Sequence, residues 1–189
     1  MQQDKRIVSW RFAYAVFARD WTMAQNILRD NTNEELYFSN AEALVPHRCL
    51  QIWLAQVQGK APRMQSDFAA ARDELNRKVE ERPKNSALLS ALGLVDAALG
   101  RAHEAINEAK SAAEMLPICE DAWDGPRLVY VLAAVYALTN ESNLAFEQLD
   151  LFVSTRRGIG YGELQLDPVW DRLREDPRFD KLLSHVSPE

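Results

Sequence analysis

The sequence has few of the residues that most often mark a metal-binding or disulfide-stabilised protein. Its 189 residues include only two cysteines, Cys49 and Cys119, and three scattered histidines. Two lone cysteines do not make a disulfide framework, so we expect both to be small, buried or half-buried apolar residues. A single disulfide between them is the alternative. No histidine has the spacing of a zinc ligand set. The sequence therefore predicts no metal and no cofactor.

Clusters of positive charge and long apolar runs are also missing. The formal net charge is −6, and no lysine- or arginine-dense run attracts nucleic acid or an anionic membrane. No apolar stretch approaches the ~20 residues that span a bilayer, and the N-terminal MQQDKRIVSW is too polar for a signal peptide. We expect a cytoplasmic protein, or an extracytoplasmic one if a membrane span precedes this segment in a parent protein.

What the sequence does contain is helical periodicity between regularly placed glycines and prolines. Apolar residues recur every three or four positions, and no alternating strand-like segment stands out. Residues 31–45 are ambiguous and are assigned at most a further turn of helix. The sequence therefore predicts an all-α fold with helices near 3–18, 21–30, 46–58, 63–82, 86–99, 102–116, 127–139, 142–155, 168–175 and 177–185.

The segment 86–117 contains the clearest repeating unit. Two helical patterns are joined at Gly100, and small or apolar residues recur along them: Leu89, Leu92 and Gly93, then Ala105, Ala109 and Ala112, closed by Pro117. This order resembles the tetratricopeptide (TPR) repeat, except that Asp96 stands where the family usually has an aromatic residue. Small residues at Gly93 and Ala105 let two antiparallel helices pack closely.

Three further segments resemble the same repeat. Residues 126–157 repeat it with Tyr136 and Ala145, residues 3–30 carry Ala24 in the turn RDWTMA, and residues 46–82 are a divergent copy with a long second helix. The resemblance implies a right-handed α-solenoid of about four TPR-like helix pairs over residues 1–163. Residues 164–189 would form a short C-terminal capping segment.

The capping segment carries the tandem motif LDPVWDRLREDPRFDKLL. In each half an Asp caps a helix, a Pro begins it and an aromatic residue follows, Trp170 in the first half and Phe179 in the second. We expect these side chains to cover the apolar edge of helix 142–155; the alternative is a peptide offered to a partner. Together with the repeats, the motif resembles the C-terminal TPR regions of bacterial adenylate or guanylate cyclases, serine/threonine protein kinases and winged-helix regulators.

This resemblance implies a non-catalytic protein–protein interaction module in the regulatory region of a signalling protein. Such arrays bind a protein or peptide along a groove formed by the first helix of each pair. By resemblance, the groove-facing candidates are Arg6, Ser9, Cys49, Trp53, Gln56, Ser90, Leu94, Arg127 and Tyr130. The residues expected to hold the helices together are Ala24, Gly93, Ala105, Ala112, Pro117, Tyr136, Ala145, Trp170 and Phe179.

The first helix is apolar on nearly all sides. Ile7, Trp10, Tyr14 and Phe17 form one stripe, and Val8, Phe12 and Val16 form another. Because such a helix is normally covered on both sides, we expect an upstream repeat or a second copy of the chain to pack there. Homo-oligomerisation is therefore an alternative function.

Two segments invite a catalytic interpretation. RRGIGYGE (156–163) is glycine-rich, but it follows a helix rather than a strand and lacks the Lys and Ser/Thr of a phosphate loop, so a hinge is favoured. CEDAWDGP (119–126) gathers carboxylates and a thiol, and an enzyme site there is the less favoured alternative. We expect an exposed loop in which Asp121 or Asp124 caps the next helix.

Overall fold

The computed structural model describes residues 4–32, 35–38, 41–60, 65–155 and 161–186, and it is mostly helical. Its ten described α-helices and two strands follow in the order α1 (Lys5–Phe17), α2 (Trp21–Asp30), β1 (Glu35–Phe38), β2 (Ala43–Pro46), α3 (His47–Val57), α4 (Gln65–Glu81), α5 (Ser86–Ala98), α6 (Ala102–Met115), α7 (Gly125–Leu138), α8 (Ser142–Val153), α9 (Tyr161–Leu166) and α10 (Pro177–Val186). The predicted start of α4 at residue 63, and Gly158 and Gly160 of the predicted hinge, lie outside the described residues.

The first eight predicted helices are present, with ends within about two residues of those expected from the sequence. Local side chains explain several of these ends. The Asp20 carboxylate accepts a 2.9 Å hydrogen bond from the Met23 backbone N–H at the start of α2. The Asn85 side chain does the same for Leu88 at the start of α5, at 3.0 Å. Gly100 has the positive φ of 77° that ends α5 in the left-handed region.

Helices α5 and α6 pack closely because Gly93 has no side chain. A Cβ atom at that position would lie 3.1 Å from the Ala105 carbonyl oxygen and 3.2 Å from the Ala109 nitrogen. Other small or apolar residues expected to hold the helices together are also buried: Ala24, Ala105, Ala112, Tyr136 and Ala145, whereas Pro117 is half-buried.

Each of the helices α1 to α7 contacts the helix that follows it, and three of the first helices of the pairs also meet. Helix α5 contacts α3 before it and α7 after it, while α2, α4 and α6 each contact the helix that follows. The core is one continuous cluster that runs from Val8 to Leu182.

The segment between α2 and α3 departs from the predicted turn of helix. Strands β1 and β2 form an antiparallel hairpin in which Leu36 pairs with Val45 and Phe38 with Ala43. These four side chains are buried, whereas Tyr37 on the opposite face is half-buried. Each strand has only four residues, too short for its period of two to stand out in a helical sequence. The hairpin lies against α1 and α3.

The C-terminal segment differs from the prediction in detail. Residues 168–175 form a short 3-10 helix (Pro168–Trp170) followed by turns, because the Asp167 carboxylate accepts a 3.0 Å bond from the Val169 N–H. Helix α9 was not expected. Trp170 and Phe179 are buried as expected, and α10 packs on α8. Trp170 packs instead against α7, edge-to-face with Tyr130 at 5.2 Å between ring centroids.

The C-terminal segment also touches the first helix pair. Arg19, in the turn between α1 and α2, has its Nη2 atom 2.6 Å from Asp171 Oδ1, and its Nη1 atom donates to the Leu166 carbonyl at 3.3 Å. A purely linear repeat array has contacts between neighbouring repeats only. Here the beginning and the end of the described chain are joined.

Candidate functional site

Six of the nine groove candidates are core residues. Ser9, Cys49, Trp53, Ser90, Leu94 and Tyr130 are each at most 8% exposed. Their own chain covers them: the hairpin packs on α1 and α3, the first helices of consecutive pairs pack on one another, and the C-terminal segment lies on α7. The expectation that they line an open groove is wrong for this conformation, since a side chain without exposed surface cannot contact a partner.

Two of the remaining candidates, Arg6 and Arg127, lie in the same cleft. This feature, which we call the α1 cleft, has a volume of about 710 Å³ and is lined by Arg6, Trp10, Ala13, Tyr14, Phe17, Tyr37, Glu42, Arg127 and Glu163. Its walls come from α1, the hairpin, the first turn of α7 and α9. Gln56, the ninth candidate, is half-buried elsewhere.

Exposed aromatic side chains form the α1 wall of the cleft. Trp10 is 70% exposed and Tyr14 is 68% exposed, and Ile7 beside them is 54% exposed. The opposite stripe of the same helix is covered, since Phe12 and Val16 are only 3% and 2% exposed. The prediction that an external body covers both stripes is therefore wrong for Phe12 and Val16, which the chain buries itself.

The hairpin supplies the facing wall. The Arg6 guanidinium lies over the Tyr37 ring, 5.5 Å from its centroid. Across the cleft the Arg127 Nη2 atom lies 2.8 Å from Glu42 Oε1. The Ser9 hydroxyl accepts a 2.9 Å hydrogen bond from the Tyr37 N–H and donates to the Lys5 carbonyl, which ties the hairpin to α1. These contacts hold the cleft walls in place before any partner arrives.

One turn along α7 from Arg127 lies a buried polar pair, Tyr130 and Asp167. The Tyr130 hydroxyl donates a 2.5 Å hydrogen bond to Asp167 Oδ2. Burial, together with the negative charge of Asp167, raises the pKa of Tyr130 well above its ordinary value. The phenol therefore stays neutral and continues to donate at every physiological pH.

A second polar cluster lies between α4, α5 and α6, away from the cleft. The Arg72 guanidinium donates to both carboxylate oxygens of Asp96, with Nε 3.0 Å from Oδ1 and Nη2 2.9 Å from Oδ2. Two further residues complete the cluster. Arg101 lies 3.5 Å from Asp96, and Glu108 lies 3.6 Å from Arg72. Asp96, the departure from the repeat pattern, is thus a buried ion-pair partner.

The acidic loop 119–124 forms a turn, and of its residues Asp124 borders an open depression beside residues 82–87. Asp121 Oδ1 accepts hydrogen bonds from the backbone N–H groups of Asp124 at 2.8 Å and Trp123 at 2.7 Å. These two donors lower the pKa of Asp121. Asp124 stands at the N-cap of α7 without using its side chain. Asp121 therefore stabilises the turn ahead of α7, and neither carboxylate caps that helix in the expected way.

Neither cysteine is part of a disulfide. Cys49 is buried and Cys119 is exposed, and both are free thiols. Among the described residues no group of three or more His, Cys, Asp or Glu side chains is placed to hold a metal ion. Over the same residues, no helix combines the length and apolar character of a membrane span.

Comparison with known proteins returns no relative. No protein-family model matches the chain, and no curated protein or solved structure is significantly similar to it.

Sequence reasoning missed most of the cleft. Trp10 and Tyr14 were recognised as an apolar stripe but not as a binding surface, and Tyr37, Glu42 and Glu163 were not singled out. The alternation of buried and half-buried residues in Glu35–Phe38 is visible only in the structure, because the sequence ELYF has one charged residue followed by three apolar or aromatic ones. The hairpin could therefore not be located from the sequence, and the cleft depends on it.

Proposed function

We propose that the chain is a non-catalytic protein–protein interaction module that holds a segment of its partner in the α1 cleft. The observation that carries the proposal is the pair of exposed aromatic side chains, Trp10 and Tyr14, along the wall of a concave site of about 710 Å³. Tryptophan and tyrosine are enriched among the residues that dominate binding energy at interfaces, since they offer large contact area at low conformational cost.

Contacts within the chain hold the walls of the cleft in position. The Arg127–Glu42 ion pair and the Arg6–Tyr37 stack tie the hairpin to α7 and α1. A site held in its binding shape loses less conformational freedom when a ligand binds. The helix pairs supply the rigid support, and we interpret them as a right-handed TPR-like solenoid on the basis of the repeat pattern around Gly93 and the contacts between consecutive helices.

The C-terminal motif supports a regulatory setting. Its resemblance to the ends of TPR regions in bacterial cyclases, kinases and winged-helix regulators favours a role as the regulatory part of such a signalling protein. Catalysis would then lie in another part of the parent protein, and the acidic loop at Asp121 supports no competing enzymatic function because its carboxylate is engaged with backbone N–H groups.

The test is selection of ligands from a random dodecapeptide library displayed on phage. Wild-type chain is the target, and a Trp10→Ala/Tyr14→Ala double variant removes the aromatic wall. Clones that bind wild type should lose at least about tenfold in affinity for the double variant, because truncating an anchor costs about 2 kcal/mol or more. Trp123→Ala is the matched control, since Trp123 is 64% exposed but lies outside the cleft.

Two outcomes contradict the proposal. The first is that no clone is enriched on the wild-type chain over the double variant. The second is that the enriched clones lose as much affinity for Trp123→Ala as for the double variant, which places binding elsewhere. Circular dichroism of each variant, compared with wild type, verifies that the helices are intact.

A further inference from the structure

The charged side chains of helix α1 indicate the chemical class of the partner. Its thirteen residues, KRIVSWRFAYAVF, contain three basic side chains and no acidic one, although the whole chain carries a net charge of −6. Two of the basic residues, Arg6 and Arg11, are exposed. Arg6 lies one turn before Trp10, and Arg11 lies one turn from Ile7 and from Tyr14. We call the set Arg6, Ile7, Trp10, Arg11 and Tyr14 the α1 face.

Neither arginine of this face forms an ion pair with a described residue, although Glu42 and Glu163 also line the cleft. Arg11 makes no hydrogen bond or ion pair with any described residue, and the Arg6 guanidinium contacts only the face of the Tyr37 ring. Arg127 on the opposite side of the cleft is already paired with Glu42 at 2.8 Å. Two guanidinium groups with no ion-pair partner among the described residues therefore lie on α1 beside the exposed aromatic wall, Arg6 in the lining of the cleft and Arg11 outside it.

We propose that the α1 face binds an acidic peptide segment with an apolar anchor. The anchor packs against Trp10 and Tyr14 in the cleft, and carboxylates on both sides of it pair with Arg6 and Arg11. Guanidinium groups suit this role because they form forked hydrogen bonds with carboxylates. This inference rests on the proposed function and adds the chemical class of the partner.

The positive charge of Arg6 and Arg11 attracts an acidic peptide even though the whole chain carries a net negative charge. At physiological ionic strength the Debye length is about 8 Å, so a bound peptide responds mainly to charges close to the cleft. These are Arg6 and Arg11 on α1, and the carboxylates of Glu163 and of Glu42, which is paired with Arg127. An anionic bilayer is a poorer fit to the same face. It is planar and the site is concave, and an extended anionic surface is opposed by the net charge of −6.

A second copy of the chain is also a poor occupant. A two-fold symmetric contact places the same surface on both sides of the interface. With α1 against its own copy, the basic residues of one helix would face those of the other, with no acidic residue of either helix between them. Like charges opposed at an interface disfavour it.

The first experiment reads the composition of the dodecapeptides selected on the wild-type chain and depleted on Trp10→Ala/Tyr14→Ala. Enriched clones should carry Asp and Glu in excess of the unselected library, on both sides of an aromatic or large aliphatic residue. Enriched clones that are neutral or basic overturn the inference while leaving the proposed function intact. Failure to enrich any clone overturns both.

The second experiment uses the most enriched dodecapeptide, synthesised with a fluorescent label, and a version with its acidic residues replaced by the corresponding amides. Anisotropy in low salt should give about three- to tenfold weaker binding for the amide version. An Arg6→Gln/Arg11→Gln variant should weaken binding of the acidic peptide by a similar factor, because it removes the same exposed ion pairs from the other side. Arg77→Gln, an exposed arginine on α4, is the matched control and should change nothing.

The outcomes separate the rival occupants. Loss of the difference between acidic and amide peptides in high salt supports ion pairing. Equal affinity of the two peptides, or no effect of the Arg6→Gln/Arg11→Gln variant, overturns the inference. Binding to phosphatidylserine vesicles that the acidic peptide does not displace also overturns it in favour of a membrane. A molecular mass that doubles as the protein concentration rises, and that stays at the monomer value in Trp10→Ala, overturns the inference in favour of self-association.

Discussion

The Tyr130 hydroxyl and the Asp167 carboxylate are joined by a 2.5 Å hydrogen bond that fastens helix α7 to the C-terminal segment. Asp167 is 1% exposed and also accepts from the Val169 N–H. The same carboxylate therefore starts the 3-10 helix and anchors it. Helix α7 and the 3-10 helix, which are separated in sequence by α8 and α9, thus meet at one polar contact.

Replacing Tyr130 by phenylalanine should destabilise the chain by about 1–3 kcal/mol, because a buried charged acceptor loses a donor. Urea denaturation followed by circular dichroism measures the change. Tyr136→Phe is the matched control on the same helix, since Tyr136 is buried but its hydroxyl has no hydrogen bond to a described residue. Equal losses in the two variants would mean that the Tyr130–Asp167 bond contributes nothing specific.

Replacing Gly93 by alanine should also lower the free energy of unfolding, because the new Cβ would lie only 3.1 Å from the Ala105 carbonyl oxygen. Leucine at the same position should cost more, with overpacking typically in the range of about 1–3 kcal/mol. Gly162→Ala is the comparison: a Cβ there meets nothing within 4 Å, and the helix α9 around it favours alanine. Thermal melts should show a lower Tm for Gly93→Ala and a higher Tm for Gly162→Ala than for wild type. A Gly93→Ala variant as stable as wild type would contradict the close approach of α5 and α6.

Glu108 should make stability depend on pH. Burial, and then the negative charge of Asp96, raise its pKa from 4.5 to about 8, against the opposing effect of Arg72. The folded chain therefore binds more protons at Glu108 than the unfolded chain between about pH 4.5 and 8. Its contribution to stability is largest below this window and is lost as the pH rises through it.

Glu108→Gln removes this titration. The free energy of unfolding, measured by urea at several pH values, should fall less steeply between pH 5 and 8 in the variant than in wild type. Glu104→Gln is the control, because Glu104 lies one turn earlier on the exposed side of α6, where Arg101 Nη2 donates to its carboxylate at 2.9 Å. An unchanged slope in Glu108→Gln would show that the carboxyl titrates as an exposed one.

The two thiols should differ in reactivity. Cys49 is fully buried, and burial raises its pKa to about 12, whereas Cys119 is exposed. Because the thiolate is the reactive species, a maleimide should label one thiol per native chain and two per chain in denaturant. Mass spectrometry of a digest identifies the site. Labelling of Cys49 in the native chain would mean that α3 and α4 do not cover it.

Local features were predictable from the sequence because local interactions decide them. The ends of α2 and α5 follow from Asp20 and Asn85, whose side chains cap N–H groups three residues away. The close contact at Gly93 follows from the absence of a side chain. The burial of Trp170 was predictable from the tandem motif, although its partner Tyr130 was not, since that pairing spans 40 residues of sequence.

The sequence by itself determined where the helices run and which small residues let them pack, because caps, glycines and the spacing of apolar residues act over a few positions. Only the tertiary structure decided which side of α1 is open. Both stripes of that helix are apolar, and nothing local distinguishes Phe12 from Trp10. Helix α2 and the distant hairpin pack on α1, and Phe12 is buried whereas Trp10 stays exposed at the wall of a cleft. The candidate site could therefore not be located from the sequence.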